Sequence, residues 1–294
     1  MKVLVTGEQG QIARSVAERW TGVDLTFAAR PELDLDDPAS IERTVASVNP
    51  DLILSAAAYT AVDRAEAEPD LAMAVNGIAP GVLGRAAKRA GARVIHMSTD
   101  YVFDGSSDRP WREDDPVSPV NTYGQSKLAG ERALIESGAD QAIIRTAWVY
   151  SPFGSNFVKA MLRLATERDE VSVVCDQIGC PTSAHDIAEG VLAIANAWLT
   201  DPTRGVGQVF HLGSAGATAW DGFARETFAI SQELGGPHAR VRPITTAEYP
   251  TAARRPANSR LDSARLAETF GYRAPDWRLS LVSVVGRLVG DRRC

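Results

Sequence analysis

Tyr123 and Lys127 stand four residues apart, and Thr99 lies upstream in the stretch Ser98-Thr99-Asp100-Tyr101-Val102-Phe103. A spacing of four puts the phenol and the ammonium on one face of a helix, about one turn apart. A phenol titrates near pH ~10 and is a poor acid at neutrality, whereas an ammonium beside it favours the phenolate and draws that value down. With the Thr99 hydroxyl as a third polar group, the set suits the reduction of a carbonyl beside a nucleotide site. Tyr-x-x-x-Lys alone is a weak signal, since many helices carry an aromatic and a lysine one turn apart by chance. The weight comes from the elements that position these residues.

Asn121 can cap a helix that continues through Leu128-Ala129-Gly130-Glu131-Arg132-Ala133-Leu134. Arg93-Val94-Ile95-His96-Met97 reads as a buried parallel strand. Thr99 therefore falls at a carboxyl strand end, where open α/β sheets hold their ligands. At the start of the chain, the strand Val3-Leu4-Val5 runs into Gly7-Glu8-Gln9-Gly10-Gln11-Ile12-Ala13. Gly7 permits a tight turn, and Gly10 lets backbone approach a pyrophosphate. Ala13 replaces a third glycine and is still small enough for the helix to pack on the strand. The helix from about Gln11 to Trp20 aims its first amides at the phosphates, so Gly7, Gly10, Gln11 and Ile12 are candidate cofactor contacts.

A second strand, Asp24 to Ala28, ends at Ala29-Arg30, where the adenosine ribose is usually read. Arg30 stands where many NAD enzymes have an acid. It can pair with a 2′-phosphate, or with Glu32 or Asp34 at the surface. Asp34-Leu35 is a candidate adenine contact, with helix capping by the acidic run Asp34-Leu35-Asp36-Asp37 before Pro38 as the alternative. A third strand, Leu52 to Ser55, leads into Ala56-Ala57-Ala58-Tyr59-Thr60, whose small residues let a flat cofactor pass close to the backbone. One long helix is expected from Ala61-Val62 past Val75-Asn76 to about Ala90, and Ala142 to Arg145 is a fifth strand. This alternation predicts an α/β fold, a doubly wound parallel sheet of Rossmann type, over residues 1–150. Residues 151–294 read as a smaller, mainly substrate-binding region with segments returning to the sheet. Its expected elements are helices over 156–166, 185–199 and 220–233 and strands at Val171 to Val174 and Val209 to Leu212. The lone His185 and His211 are read as structural.

The chain has 294 residues, 45% hydrophobic and 23% charged, as in an ordinary globular enzyme. A net charge of −6 without a Lys/Arg block argues against a nucleic-acid or membrane partner. Cys175, Cys180 and Cys294 form neither a disulfide framework nor a zinc site, and no metal is expected. Met1 to Thr6 is too short for a signal peptide, and no stretch approaches the ~18 apolar residues of a membrane span. A cytoplasmic protein is expected.

These residues carry a resemblance. The glycine loop, Ala56 to Thr60 with Val62-Asp63, Val75-Asn76, Ser98 to Gly105 and Tyr123 to Glu131 resemble the dTDP-4-dehydrorhamnose reductase family of extended short-chain dehydrogenases/reductases. So do Arg145-Thr146-Ala147-Trp148-Val149-Tyr150, Asp176-Gln177 with Gly179 and Pro181-Thr182, and Arg255-Pro256 with Asn258-Ser259 and Leu261-Asp262. The resemblance implies hydride transfer from NADPH, with NADH also accepted, to C4 of dTDP-4-dehydro-β-L-rhamnose. It makes Tyr123 the proton donor, Lys127 a holder of the nicotinamide ribose, and Thr99 a partner of the reacting oxygen. Asp100, Tyr101 and Trp148 fall at the dTDP-linked 4-keto-6-deoxy sugar, with core packing the alternative for Trp148. Two related readings stay open: a 4-keto reductase of a secondary-metabolite pathway, and a non-catalytic regulatory subunit of methionine adenosyltransferase type. A homodimer is also left open.

Overall fold

The computed structural model describes residues 1–290. Six strands make the central sheet: β1 (Lys2–Thr6), β2 (Asp24–Ala28), β3 (Leu52–Ser55), β4 (Arg93–Thr99), β5 (Gln141–Thr146) and β6 (Gln208–His211). Their order is β6-β5-β4-β3-β1-β2, all parallel. The inner strands β1, β3, β4 and β5 are almost wholly buried because both faces are covered, whereas the edge strands β2 and β6 keep exposed polar residues. Val3, Val5, Leu52, Leu54 and Ile95 face one core, with α1 (Gln11–Arg19) and α6 (Ala184–Thr200) above them. Leu4, Ile53, Val94 and Ile143 face the other, under α2 (Pro38–Val48) and α3 (Ala79–Ala90). Pro38 opens α2, and the Asp37 carboxylate caps it by accepting from the Ala39 amide, which satisfies an otherwise unpaired donor.

The helix expected from Ala61 to Ala90 is not continuous. Short helices at Val62–Ala65 and Pro69–Ala72 are followed by a π-helical turn, Met73–Ile78, and only then by α3. Pro69 lacks the amide that would carry a helix through, so it begins a new one. The wider turn moves Asn76 inward, to partners described below.

The catalytic candidates lie on α4 (Thr122–Glu136), which follows β4 after a loop. Beyond β5 the chain builds a second core from α5 (Phe157–Leu164), α7 (Trp220–Glu233) and α8 (Trp277–Gly290), where Tyr150, Leu162, Phe223, Trp277 and Leu281 are buried together. The expected strand at 171–174 spans Glu170–Val174, but it pairs with Arg240–Ile244 in a separate ribbon. The segment Gln208–His211 does join the main sheet, against β5. No helix among the described residues is long and apolar enough to cross a membrane.

Candidate active site

The start of α4 is fixed by Asn121, whose side chain accepts from the Gly124 amide at 2.8 Å and donates to the Arg254 carbonyl at 2.8 Å. Farther along, Gly130 lies so close to the π-helical turn that a Cβ there would fall 2.0 Å from the Asn76 carbonyl oxygen. The Asn76 side chain accepts from the Tyr59 amide (2.9 Å) and donates to the Tyr59 carbonyl (2.9 Å) and the Ser126 hydroxyl (3.1 Å). One buried amide thus fastens the loop after β3 to α4. Reading for function missed this role, although a polar residue within the apolar stretch Ala74-Val75-Asn76-Gly77-Ile78 was the signal for it.

Thr99 ends β4 and is buried. Its hydroxyl donates to Asp100 Oδ1 at 3.1 Å and accepts from the Tyr101 amide at 3.2 Å. Tyr123 keeps some exposure as a residue, yet desolvation pushes its phenol up to about 12; the hydrogen bond with Thr99 acts the other way, and the Asp100 charge adds to the rise. The rings of Tyr101 and Tyr123 meet edge to face at 5.6 Å. Burial also raises the Tyr101 phenol, and it lifts the Asp100 carboxyl to about 7 against hydrogen bonds with Ser259 and Thr99. Asp100 Oδ2 is buried without a partner.

The expectation that the Lys127 ammonium lowers the phenol's pKa is not met. Lys127 Nζ donates to the Met97 carbonyl at 2.7 Å and lies 3.4 Å from His96 Nε2, and the charge acting on the phenol is that of Asp100. The four-residue spacing fixes a shared face, but a flexible lysine takes the nearest carbonyl, here one on β4. Burial pushes Lys127 down to about 8, with the Glu131 carboxylate opposing the fall.

The cofactor candidates gather at the carboxyl ends of β1, β2 and β3. Gly7 has φ +84°, as the tight turn requires, and a Cβ there would lie 3.3 Å from that of Ala57. The two loops are therefore in contact. Gly10 precedes α1 with no side-chain cap and open space at its Cβ position, which leaves the first helix amides, at Gln11 and Ile12, available to an anion. The Gln11 side chain is already engaged: it donates to the Val149 carbonyl at 3.4 Å and accepts from Ser151 (2.8 Å) and Asn156 (3.0 Å). Only its backbone can serve a phosphate. Ile12 and Leu35 pack on the cores.

The Ala56 and Ala57 amides both donate to Thr6 Oγ1 at 3.0 Å, so these residues offer a small surface rather than free donors. Ala58 is likewise half-buried, Thr60 is exposed, and the Tyr59 hydroxyl donates to Glu68. Arg30 is exposed and, among the described residues, makes no ion pair, so it is not engaged with Glu32 or Asp34. Asp34 accepts from the Asp36 amide, and its backbone is held by the Ser40 hydroxyl. The glycine turn, uncapped helix, small-residue loop and free guanidinium fit a dinucleotide with a 2′-phosphate.

Trp148 follows β5 with φ +50°, an uncommon conformation for a bulky residue. Its ring stacks on Trp220 and leaves no room for a side chain at Gly179, where a Cβ would be 2.4 Å away. His185 bonds Glu18 (2.9 Å), and His211 Nδ1 lies 3.1 Å from the Trp111 carbonyl, with burial pushing its pKa down to about 3. Cys175 and Cys180 are free thiols, and Cys294 lies outside the described residues. No group of three or more metal-ligating side chains occurs among the described residues.

A parallel sheet in this order, with a glycine turn after β1 and Tyr123 and Lys127 on the helix beside Thr99, defines a short-chain dehydrogenase/reductase of Rossmann type. Residues 1–289 match the family model described as RmlD substrate binding domain. A dTDP-4-dehydrorhamnose reductase of Sinorhizobium fredii is 45% identical over 290 residues, 98% of each chain. The crystal structure of such a reductase from Clostridium acetobutylicum superposes with a TM-score of 0.91 at 36% identity, covering 98% of this chain and 99% of that one. One from Bacillus anthracis, in complex with NADP, gives 0.89 at 33% identity over 98% and 100%. The chain belongs to the dTDP-4-dehydrorhamnose reductase family.

Proposed function

We propose that this chain reduces the C4 keto group of dTDP-4-dehydro-β-L-rhamnose to give dTDP-L-rhamnose. The observation that carries the reading is the meeting of Thr99 and Tyr123 at the carboxyl end of β4, one helical turn from Lys127. NADPH, when bound, supplies the hydride. Gly7, Gly10 and the backbone of Gln11 and Ile12 hold its pyrophosphate, Arg30 its 2′-phosphate, and Asp34-Leu35 and Ala56 to Thr60 flank the adenosine and ribose. Tyr123 gives its proton to the oxygen that gains charge at C4, and the Thr99 hydroxyl bonds the same oxygen. Lys127 holds the nicotinamide ribose and lends its positive charge to the site. Asp100, Tyr101 and Trp148 line the pocket of the sugar.

The family, the fit to a dinucleotide and the intact Thr99, Tyr123 and Lys127 support an enzyme rather than a regulatory binding subunit. A cytoplasmic location belongs to the same proposal. The test is NADPH oxidation with dTDP-4-dehydro-β-L-rhamnose, followed by NMR of the product. Consumption of NADPH with formation of the rhamno configuration is expected. No turnover overturns the reading, and the opposite C4 configuration favours a deoxysugar reductase of another pathway.

A further inference from the structure

Glu131 lies one turn beyond Lys127 on α4 and is buried. Its Oε1 accepts from the Ser98 hydroxyl at 2.5 Å and from Arg145 Nε at 2.9 Å, and Oε2 accepts from Arg145 Nη2 at 2.7 Å. Ser98 immediately precedes Thr99, and Arg145 immediately precedes Thr146, so one carboxylate ties α4 to the ends of β4 and β5. A planar guanidinium gripping both oxygens fixes that carboxylate in direction as well as distance. Arg145 is held in turn by Phe103, whose ring centre is 5.2 Å from the guanidinium carbon.

The surroundings of Lys127 make this charge matter. From β4 it meets the Met97 carbonyl and His96; on its own helix Tyr123 stands one turn before it and Glu131 one turn after, and the Glu131 carboxylate acts on it through charge rather than through a hydrogen bond. From β5, Arg145 bonds Glu131. From β3, the Ser55 hydroxyl bonds His96 Nδ1 at 3.0 Å. His96 is kept far below its usual pKa by burial first and by the Lys127 charge second, so it is neutral. The Tyr123 phenol stays protonated at neutral pH. Glu131 is the anion among these groups.

We propose that Glu131, clamped by Ser98 and Arg145, is a positioning residue for the reduction: it keeps Lys127 in its ammonium form and sets the register of α4 against Thr99. A buried ion pair is a poor device for stability alone, because an apolar replacement of similar volume does as well or better. Its placement one turn from the lysine, beside the strand end that carries Thr99, gives it a catalytic use. The proposal rests on the reductase reading, and its test separates the two.

The chain has four lysines, Lys2, Lys88, Lys127 and Lys159, so 13C at the lysine Cε gives a spectrum simple enough to titrate each one. The Lys127→Arg variant identifies the Lys127 signal by its loss. In the unmodified protein Lys127 should titrate near 8. In Glu131→Gln it should titrate about one pH unit lower, and the alkaline limb of kcat/KM for NADPH-dependent reduction should move with it. If Glu131→Gln leaves Arg145 unpaired and does not fold, Glu131→Gln/Arg145→Met read against Arg145→Met carries the same measurement, since those two variants differ only in the charge at position 131. An unmoved Lys127 titration in a folded variant overturns the proposal, as does failure of both variants to fold, which assigns the pair to the core. Absence of turnover in the unmodified protein would instead refute the reductase reading, and the Lys127 titration would still decide the role of Glu131.

Discussion

Trp148 and Trp220 lie face to face, with ring centroids 3.5 Å apart and planes within 9°. A left-handed backbone at a bulky residue costs on the order of 1–3 kcal/mol, and it persists where the surroundings over-determine it. Here the Trp220 ring on one side and Gly179 on the other hold the Trp148 indole in a single pose. Trp148→Ala should therefore raise KM for the dTDP-sugar about tenfold or more while leaving the NADPH Kd unchanged. Trp220→Ala should reproduce part of that loss by freeing the indole. Both are read by steady-state kinetics beside cofactor titration, and an unfolded Trp148→Ala would assign the ring to core packing.

Tyr123→Phe keeps the ring and removes the proposed acid, so kcat should fall roughly 10²–10⁴-fold with cofactor affinity retained. Because burial holds the phenol up to about 12, it does not lose its proton between pH 6 and 9. The alkaline decline in turnover should instead follow Lys127 near 8. A pH–kcat profile checks both points, and a decline appearing only above pH 10 would detach Lys127 from the reaction.

Asp100 makes a prediction about stability. Burial raises its carboxyl from 3.8 to about 7. The folded state therefore holds a proton that the unfolded chain has released, and stability falls as pH rises through that window. Above pH 7 the cost is fully present, with a ceiling of about 4 kcal/mol from three pH units at ~1.4 each. Asp100→Asn should match the unmodified protein at pH 4 and exceed it at pH 8, as measured by urea midpoints at the two values. Equal midpoints at both would remove Asp100 from the account.

Arg30 is exposed without an ion pair among the described residues, free to meet a 2′-phosphate. Arg30→Ala should reduce the preference for NADPH over NADH by roughly ten- to a hundred-fold, the worth of one charge-assisted hydrogen bond. The ratio of KM values for the two cofactors decides it, and an unchanged ratio excludes Arg30 from phosphate recognition.

What could be read from the chain was local. Asn121 as a cap, Pro38 at a helix start and the apolar runs of β1, β3, β4 and β5 follow from neighbours a few residues away. The misreadings depended on distant partners. The π-helical turn places Asn76 where it can bond Tyr59 and Ser126, the latter 50 residues on. Lys127 turns to the Met97 carbonyl, 30 residues back, so its spacing from Tyr123 revealed a face but not a neighbour. Glu131 carries no local sign of its role, because its partners Ser98 and Arg145 reach it only through the pairing of β4 and β5.

The contact between Gly130 and the Asn76 carbonyl has a consequence for how mutational maps of this enzyme will read. Any Cβ at position 130 must push α4 off the π-helical turn, since backbone is the obstacle and cannot rotate aside. That displacement carries Tyr123 and Lys127 with it. In a saturation screen scored by product formation, Gly130→Ala would look like the loss of a reacting group, although glycine has no side chain to contribute. Scoring the same library by NADPH retention and by protein abundance would separate such a spacing residue from the ones that handle the proton.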